Sequence, residues 1–228
     1  MEDLIIGTSW SGDGDVYTIE YVNRLVRGVR RNTTVPHRFV LYAGPTARAS
    51  GDLRKLEPDV EVVPSNYQYW WTGMDALLRK EDYFAIGLDC VIIGSLDDLL
   101  TYPSKLVAFK DFPPFACPPG HEQDVSLDVW LARGGAFAPA YDEWLRVGKP
   151  LWNPEDKGIE KVWHYQAQGW INSKPRPLAI DVWPDEWVVS YKQWVRRRGL
   201  PQDCRIVSFH GRPKPHEVIE PWIEEHWR

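Results

Sequence analysis

The stretch from Phe84 to Leu100 constrains the fold of this chain more than any other. It opens as an apolar run without alternation, Phe84-Ala85-Ile86-Gly87-Leu88, broken by one carboxylate, Asp89. A run lacking the polar–apolar alternation of a half-exposed strand reads as a strand buried on both faces. A second short run, Cys90 to Ile93, stops at Gly94. In an open α/β sheet, a buried strand that delivers one Asp to its carboxyl edge places a metal or phosphate ligand at the mouth of the crevice. The plainer alternative is an Asp that only turns the chain.

The preceding residues supply the frame. Asp3 to Thr8 reads as a first strand, and a loop of small residues, Ser9 to Asp15, follows. Thr18 is placed to cap a helix, with Glu20 in its first turn. Ile19, Val22, Leu25, Val26 and Val29 share one helical face; Arg24, Arg27, Arg30 and Arg31 form a face expected to be solvated. His37 to Tyr42 and Val60 to Val63 are the next strands. Strand, helix, strand, strand is the beginning of a nucleotide-binding α/β sheet. No G-x-G-x-x-G follows the first strand and no P-loop motif occurs, which argues against a dinucleotide fold or a P-loop. Further on, Leu106 to Phe109 and Val125 to Ala132 read as strands, and Ala138 to Arg146 as a helix. Asp111 to Gly120 is a proline-rich loop, Lys161 to Ile171 a candidate helix, and Arg205 to Phe209 the last strand.

Composition removes several classes. The 228 residues suit a single domain spanning 1–228. Lys plus Arg is 27 against 32 Asp plus Glu, a net of −5, which argues against a broad nucleic-acid footprint. Cys90, Cys117 and Cys204 are odd in number and widely spaced, so neither a disulfide framework nor a zinc site is expected. No apolar run reaches the ~20 residues of a membrane span, and no secretory signal is read at the N-terminus. A cytoplasmic location is the expectation. Thirteen tryptophans are unusual; indoles stack on sugar rings, though most serve as core.

The segment Gly87-Leu88-Asp89 with Gly94-Ser95-Leu96-Asp97 resembles the "Leu-Asp-x-Asp … Gly-x-Leu-Asp-x-Leu" signature of GT-A-type glycosyltransferases. The likeness is to the glycogenin-like group and its phage-encoded relatives. His210-Gly211-Arg212-Pro213-Lys214-Pro215 resembles the terminal "His-Gly-x-x-Lys-Pro" element of the same group, and Tyr17 to Leu25 its first helix. The resemblance implies an α/β, GT-A-like fold, Rossmann-like, with a mixed central sheet. It implies transfer of a sugar from a nucleotide-diphosphate sugar, of the UDP class, to a hydroxyl acceptor.

The resemblance assigns roles residue by residue. Asp89 and His210 would hold Mn²⁺, or Mg²⁺ with its preference for oxygen. Gly211 and Lys214 would meet the diphosphate, where a cation stabilises the departing negative charge. Thr8, Ser9, Trp10 and Tyr17 would hold the nucleotide; Tyr17 reads equally as a helix-packing residue. Gln166 would lie at the sugar's reacting carbon; separately from the resemblance, Asp128, Asp97 or Asp98 could offset the missing acid, and Asp128 is taken with Gln166 as catalytic. Asp97 and Asp98 read otherwise as caps and surface charges. Three positions depart from the pattern: Gly87 replaces the first Asp of Asp-x-Asp, Gly73 a Lys, and Tyr165 the Asp before Gln166. They leave open a nucleotide-sugar-binding protein that keeps the fold without catalysis. The acceptor stays open among a glycan, a protein and hydroxymethylated DNA, the last read through Arg196, Arg197 and Arg198 in the host cytoplasm if the chain is phage-encoded.

Overall fold

The computed structural model describes residues 4–12, 16–67, 69–122, 124–146, 168, 171–172 and 178–228. Gln166, Tyr165, the loop at 13–15 and most of the candidate helix Lys161–Ile171 lie outside the described residues.

The first half of the chain builds a parallel sheet. Strand β1 (Ile5–Trp10) is followed by helix α1 (Ile19–Asn32), β2 (Arg38–Ala43), helix α2 (Pro45–Ala49) and β3 (Val60–Pro64). A 3₁₀ segment, Tyr69–Leu78, leads into β4 (Tyr83–Ile86). The two apolar runs on either side of Asp89 then part company. After a turn at Gly87–Asp89 come β5 (Cys90–Ile92) and helix α3 (Asp97–Leu100). Next are β6 (Leu106–Lys110), β7 (Val125–Ala132) and helix α4 (Ala138–Arg146). The described C-terminal part adds β8 (Asp181–Val182), β9 (Val188–Ser190), a wide helical turn Tyr191–Val195, β10 (Ile206–Ser208) and helix α5 (Pro221–His226).

Among the described residues a seven-stranded sheet has the order β3-β2-β1-β4-β7-β6-β8. β7 runs antiparallel to both β4 and β6, and the other pairings are parallel, so the sheet is mixed. A smaller sheet has the order β5-β10-β9. β5 therefore leaves the central sheet at Asp89 and pairs antiparallel with β10, which arrives from the far end of the chain.

Burial on both faces explains why the core strands show no alternation. Ile6, Phe39, Leu41, Phe84, Ile86, Val129 and Leu131 pack with α1, α5 and the small sheet. Ile5, Val40, Tyr42, Tyr83, Trp130 and Ala132 point the other way, into a second cluster with Met74, Leu77 and Ala140. The arginine face of α1 is not simply solvated. Arg24 donates to the Trp227 carbonyl (2.8 Å) and Arg31 to that of His226 (2.7 Å), docking the end of the described chain onto the helix. Asp97 acts as a tie, its carboxylate accepting from Thr33 Oγ1 (2.7 Å) and Thr34 N (2.9 Å) just past α1. No described helix is long and apolar enough to cross a membrane.

Gly7 sits mid-strand in β1 because Tyr83 fills the space a side chain would need. A Cβ there would lie 2.7 Å from Tyr83 Cζ and 2.9 Å from Cε2. Tyr83 is 2% exposed and wedged between Tyr42 and Trp130, so it has little room to retreat. Gly7→Ala is expected to cost about 1–3 kcal/mol through overpacking, read as a lowered midpoint in urea denaturation. An unchanged midpoint would mean that Tyr83 swings away freely.

Candidate active site

Sheet order locates the crevice. β1 lies between β2 and β4, so the direction of winding reverses there, and the carboxyl ends of β1 and β4 open onto one mouth. β1 delivers Ser9, Trp10 and then Tyr17 to that mouth; β4 delivers Gly87, Leu88 and Asp89.

Asp89 is 7% exposed and carries a dense set of partners. Its Oδ2 accepts from Lys214 Nζ at 2.5 Å and from the Tyr17 hydroxyl at 2.8 Å. Lys214, also 7% exposed, donates further to the Tyr17 hydroxyl oxygen and to the Phe209 carbonyl (3.2 Å). All three ammonium hydrogens thus have acceptors. Burial, then the Asp89 charge, pushes the Tyr17 phenol far above its ordinary range, so it remains a donor. Trp10 is 4% exposed and its indole N–H donates to the Tyr17 carbonyl (2.6 Å). It therefore fixes Tyr17 in place and presents no open ring face. Thr8 is likewise buried, and Ser9 lies half-buried against Gly73.

The small sheet brings the distant His210 to this point. β10 pairs with β5 in the register Ser208 to Cys90, and Phe209 N donates to the Asp89 carbonyl (3.0 Å). His210 is thereby the next residue along the ladder from Asp89's partner. Its Nε2 shares a 2.6 Å hydrogen bond with Ser190 Oγ, at the end of β9. Burial lowers the His210 pKa below the ordinary imidazole value, against the pull of Asp111 and Asp89. Beyond it Gly211 has φ +71°, a left-handed turn open to glycine at no cost. The chain then returns so that Lys214 N–H donates to the Glu217 carboxylate (2.7 Å).

Two further acids face the same space. β7 is antiparallel to β4, and Gly87 N–H donates to the Asp128 carbonyl (2.6 Å). The half-buried Asp128 accepts from the Ser208 hydroxyl (2.7 Å). Burial, then the Asp89 charge, raises its carboxyl to about 6. Asp111, just past β6, is also raised to about 6, by burial and against the pull of His210. Gln168 hydrogen-bonds Asp111. Asp97 and Asp98 are elsewhere: Asp97 ties down the end of α1, and Asp98 pairs with Arg205 at the surface.

Sequence reasoning passed over Asp111, Ser208 and Gln168. Asp111 had a legible signal, since it ends an apolar strand as Asp89 does. Ser208 had no signal, because only the β5–β10 register sets it beside Asp128. Arg196 and Arg197 are exposed, while the Arg198 guanidinium stacks 3.6 Å from the Phe115 ring centroid.

The resemblance calls for a divalent ion on Asp89 and His210. The two residues are neighbours, but the donor set does not fit such an ion. The Lys214 ammonium already sits on Asp89 Oδ2. A doubly charged ion about 4 Å from it would meet roughly 8 kcal/mol of repulsion at an effective dielectric of about 20. Gly87 supplies no carboxylate, and the His210 Nε2 is engaged with Ser190. Among the described residues no three His, Cys, Asp or Glu side chains form a metal-binding group.

No protein-family model and no curated protein matches the sequence. Solved structures do match by shape. The galactosyltransferase LgtC, crystallised with donor and acceptor sugar analogues, aligns at a TM-score of 0.60 and 13% identity, over 93% of this chain and 88% of that one. The apo bifunctional glycosyltransferase WbbM aligns at 0.56 and 14%, over 93% of this chain and 46% of that one. This chain thus spans less than half of WbbM. Mouse xyloside xylosyltransferase 1 aligns at 0.51 and 10%, over 92% and 99%. What these glycosyltransferases share with the present chain is the GT-A fold, an α/β architecture around a mixed central sheet.

Proposed function

We propose that this chain is a glycosyltransferase that moves a sugar from a nucleoside-diphosphate sugar, of the uridine class, to a hydroxyl acceptor. The observation that carries the reading is the meeting of Asp89, Asp128, His210 and Lys214 at the crevice mouth. Likeness of fold to LgtC, solved with donor and acceptor sugar analogues, supports it.

The bond between the anomeric carbon and the β-phosphate oxygen breaks, and its electron pair goes to that oxygen. The acceptor oxygen bonds the anomeric carbon and loses its proton to the Asp128 carboxylate, which is mostly ionised at pH 7 with a pKa of about 6. The left-handed Gly211 turn lets backbone approach the diphosphate, and the Lys214 charge offsets what develops there. Ser9 and Tyr17 line the nucleotide end. Gln166 is the residue assigned to the sugar.

Incubation with UDP-glucose, UDP-galactose and GDP-mannose, read as release of the nucleoside diphosphate, tests this. Release with at least one donor, lost in Asp128→Asn, is the expected result. Tight donor binding with no release would make the chain a sugar-nucleotide binder. Neither binding nor release would remove the reading.

A further inference from the structure

Lys214 differs from an ordinary phosphate-binding lysine. Such lysines are long arms that reach from the edge of a site. This one is buried at the crevice mouth, where its ammonium contacts the carboxylate just past β4. Its backbone is held by Glu217 and its head by Asp89, Tyr17 and Phe209. The Tyr17 ring lies alongside, its centroid 4.8 Å from Nζ.

Gly87 points the same way. Its backbone does not lie in the left-handed region, and a Cβ there would sit 3.4 Å from Asp89 Oδ1 and from the Asp128 carbonyl, an ordinary contact. Crowding at the Cβ therefore does not account for the glycine that stands where the motif has a second carboxylate. A divalent ion benefits from that carboxylate, because each added acid lowers the energy of a doubly charged ion. A monovalent ammonium already balanced by Asp89 does not. Lys214 on Asp89, with glycine where the motif has its other Asp, is the charge arrangement of a site built for one organic cation.

We propose that Lys214 is the resident cation of the donor site, its ammonium taking the place of a divalent metal, so that donor binding and transfer need no added metal ion. The proposal rests on the sugar-transfer reading above. Of its three hydrogen bonds, the one to Tyr17 is the one a phosphate oxygen takes over. The Tyr17 hydroxyl keeps its own donation to Asp89 and requires nothing from the lysine. As the anomeric bond breaks, charge grows on the β-phosphate oxygen beside an ammonium that is already in position.

Titration calorimetry with UDP and GDP, in EDTA and in millimolar MnCl₂, tests the proposal on the wild-type chain. Nucleotide release from the matching sugar donor is followed under the same conditions. The dissociation constant is expected to differ by less than about threefold between the two buffers, with release continuing in EDTA. The paired variant Lys214→Gln/Asp89→Asn removes both charges and leaves no buried ion unpaired. It is expected to lose about tenfold or more of its affinity in EDTA, the effect of removing one charge-assisted hydrogen bond. Binding that requires Mn²⁺ would overturn the inference and leave the sugar-transfer reading standing. A paired variant that binds as tightly as the wild type would do the same. No nucleotide binding in either buffer would overturn both.

Discussion

Lys214→Met is expected to lower the unfolding free energy by about 3–5 kcal/mol, the cost of breaking a buried ion pair from one side. The loss comes less from the contact removed than from the charge left behind. Asp89 is 7% exposed and would retain one donor to its Oδ2, the Tyr17 hydroxyl. Adding Asp89→Asn to the same chain should recover most of the loss, because the stranded charge goes with it. Urea denaturation of the wild type, both single variants and the double variant closes the cycle. The decisive feature is a double variant more stable than Lys214→Met alone. If the two single changes simply add, Asp89 and Lys214 do not interact in solution and the described pairing is wrong.

Asp128→Asn is expected to move activity and stability in opposite directions. Losing a proton acceptor in the reaction typically costs 10²- to 10⁴-fold in turnover. Stability should rise at neutral pH, by roughly 1–3 kcal/mol. The folded chain holds the Asp128 proton at about 6, against an ordinary value of 3.8 that applies to the unfolded chain. The folded state therefore binds that proton more tightly. Asp128 contributes its stabilisation below about pH 4, and this is lost as pH rises toward about 6. Above that the ionised group is a net cost, which Asn does not carry while still accepting from Ser208. The melting-temperature gain of Asp128→Asn over wild type should be small at pH 4 and grow through pH 6. A gain that shrinks with rising pH would contradict the assigned shift. The wild-type kcat/KM should fall as pH drops through about 6.

The secondary structure was readable where period and punctuation agree. Val125–Ala132 and Ala138–Arg146 occur with the limits expected of them, because Gly134-Gly135 separates an apolar run from a helix-forming one. The short apolar run from Cys90 forms a strand of its own in the smaller sheet, which its bounds at Asp89 and Gly94 did not announce. Less legible was the arginine face of α1. Charge on a helix reads as solvated by default, and only packing showed that the last described residues dock there.

The site divides along the same line. Asp89 and His210 were picked out by type at strand ends, Gly211 and Lys214 by likeness to a known pattern, and Asp128 as an acid that could offset the missing one. Their partners were not. Lys214 bonds an acid 125 positions away, and Asp128 a serine 80 positions away. Hydrophobic pattern decides locally which face of a strand is buried, so the residues alone determined the main strands and helices and the reactive side chains Asp89, Asp128, His210 and Lys214, though not Asp111. Which strand pairs with which, and hence that an ammonium meets Asp89, was decided only when β10 closed against β5. A ladder register is a long-range choice, set by the packing of both sheets together, and no local stretch of sequence carries it.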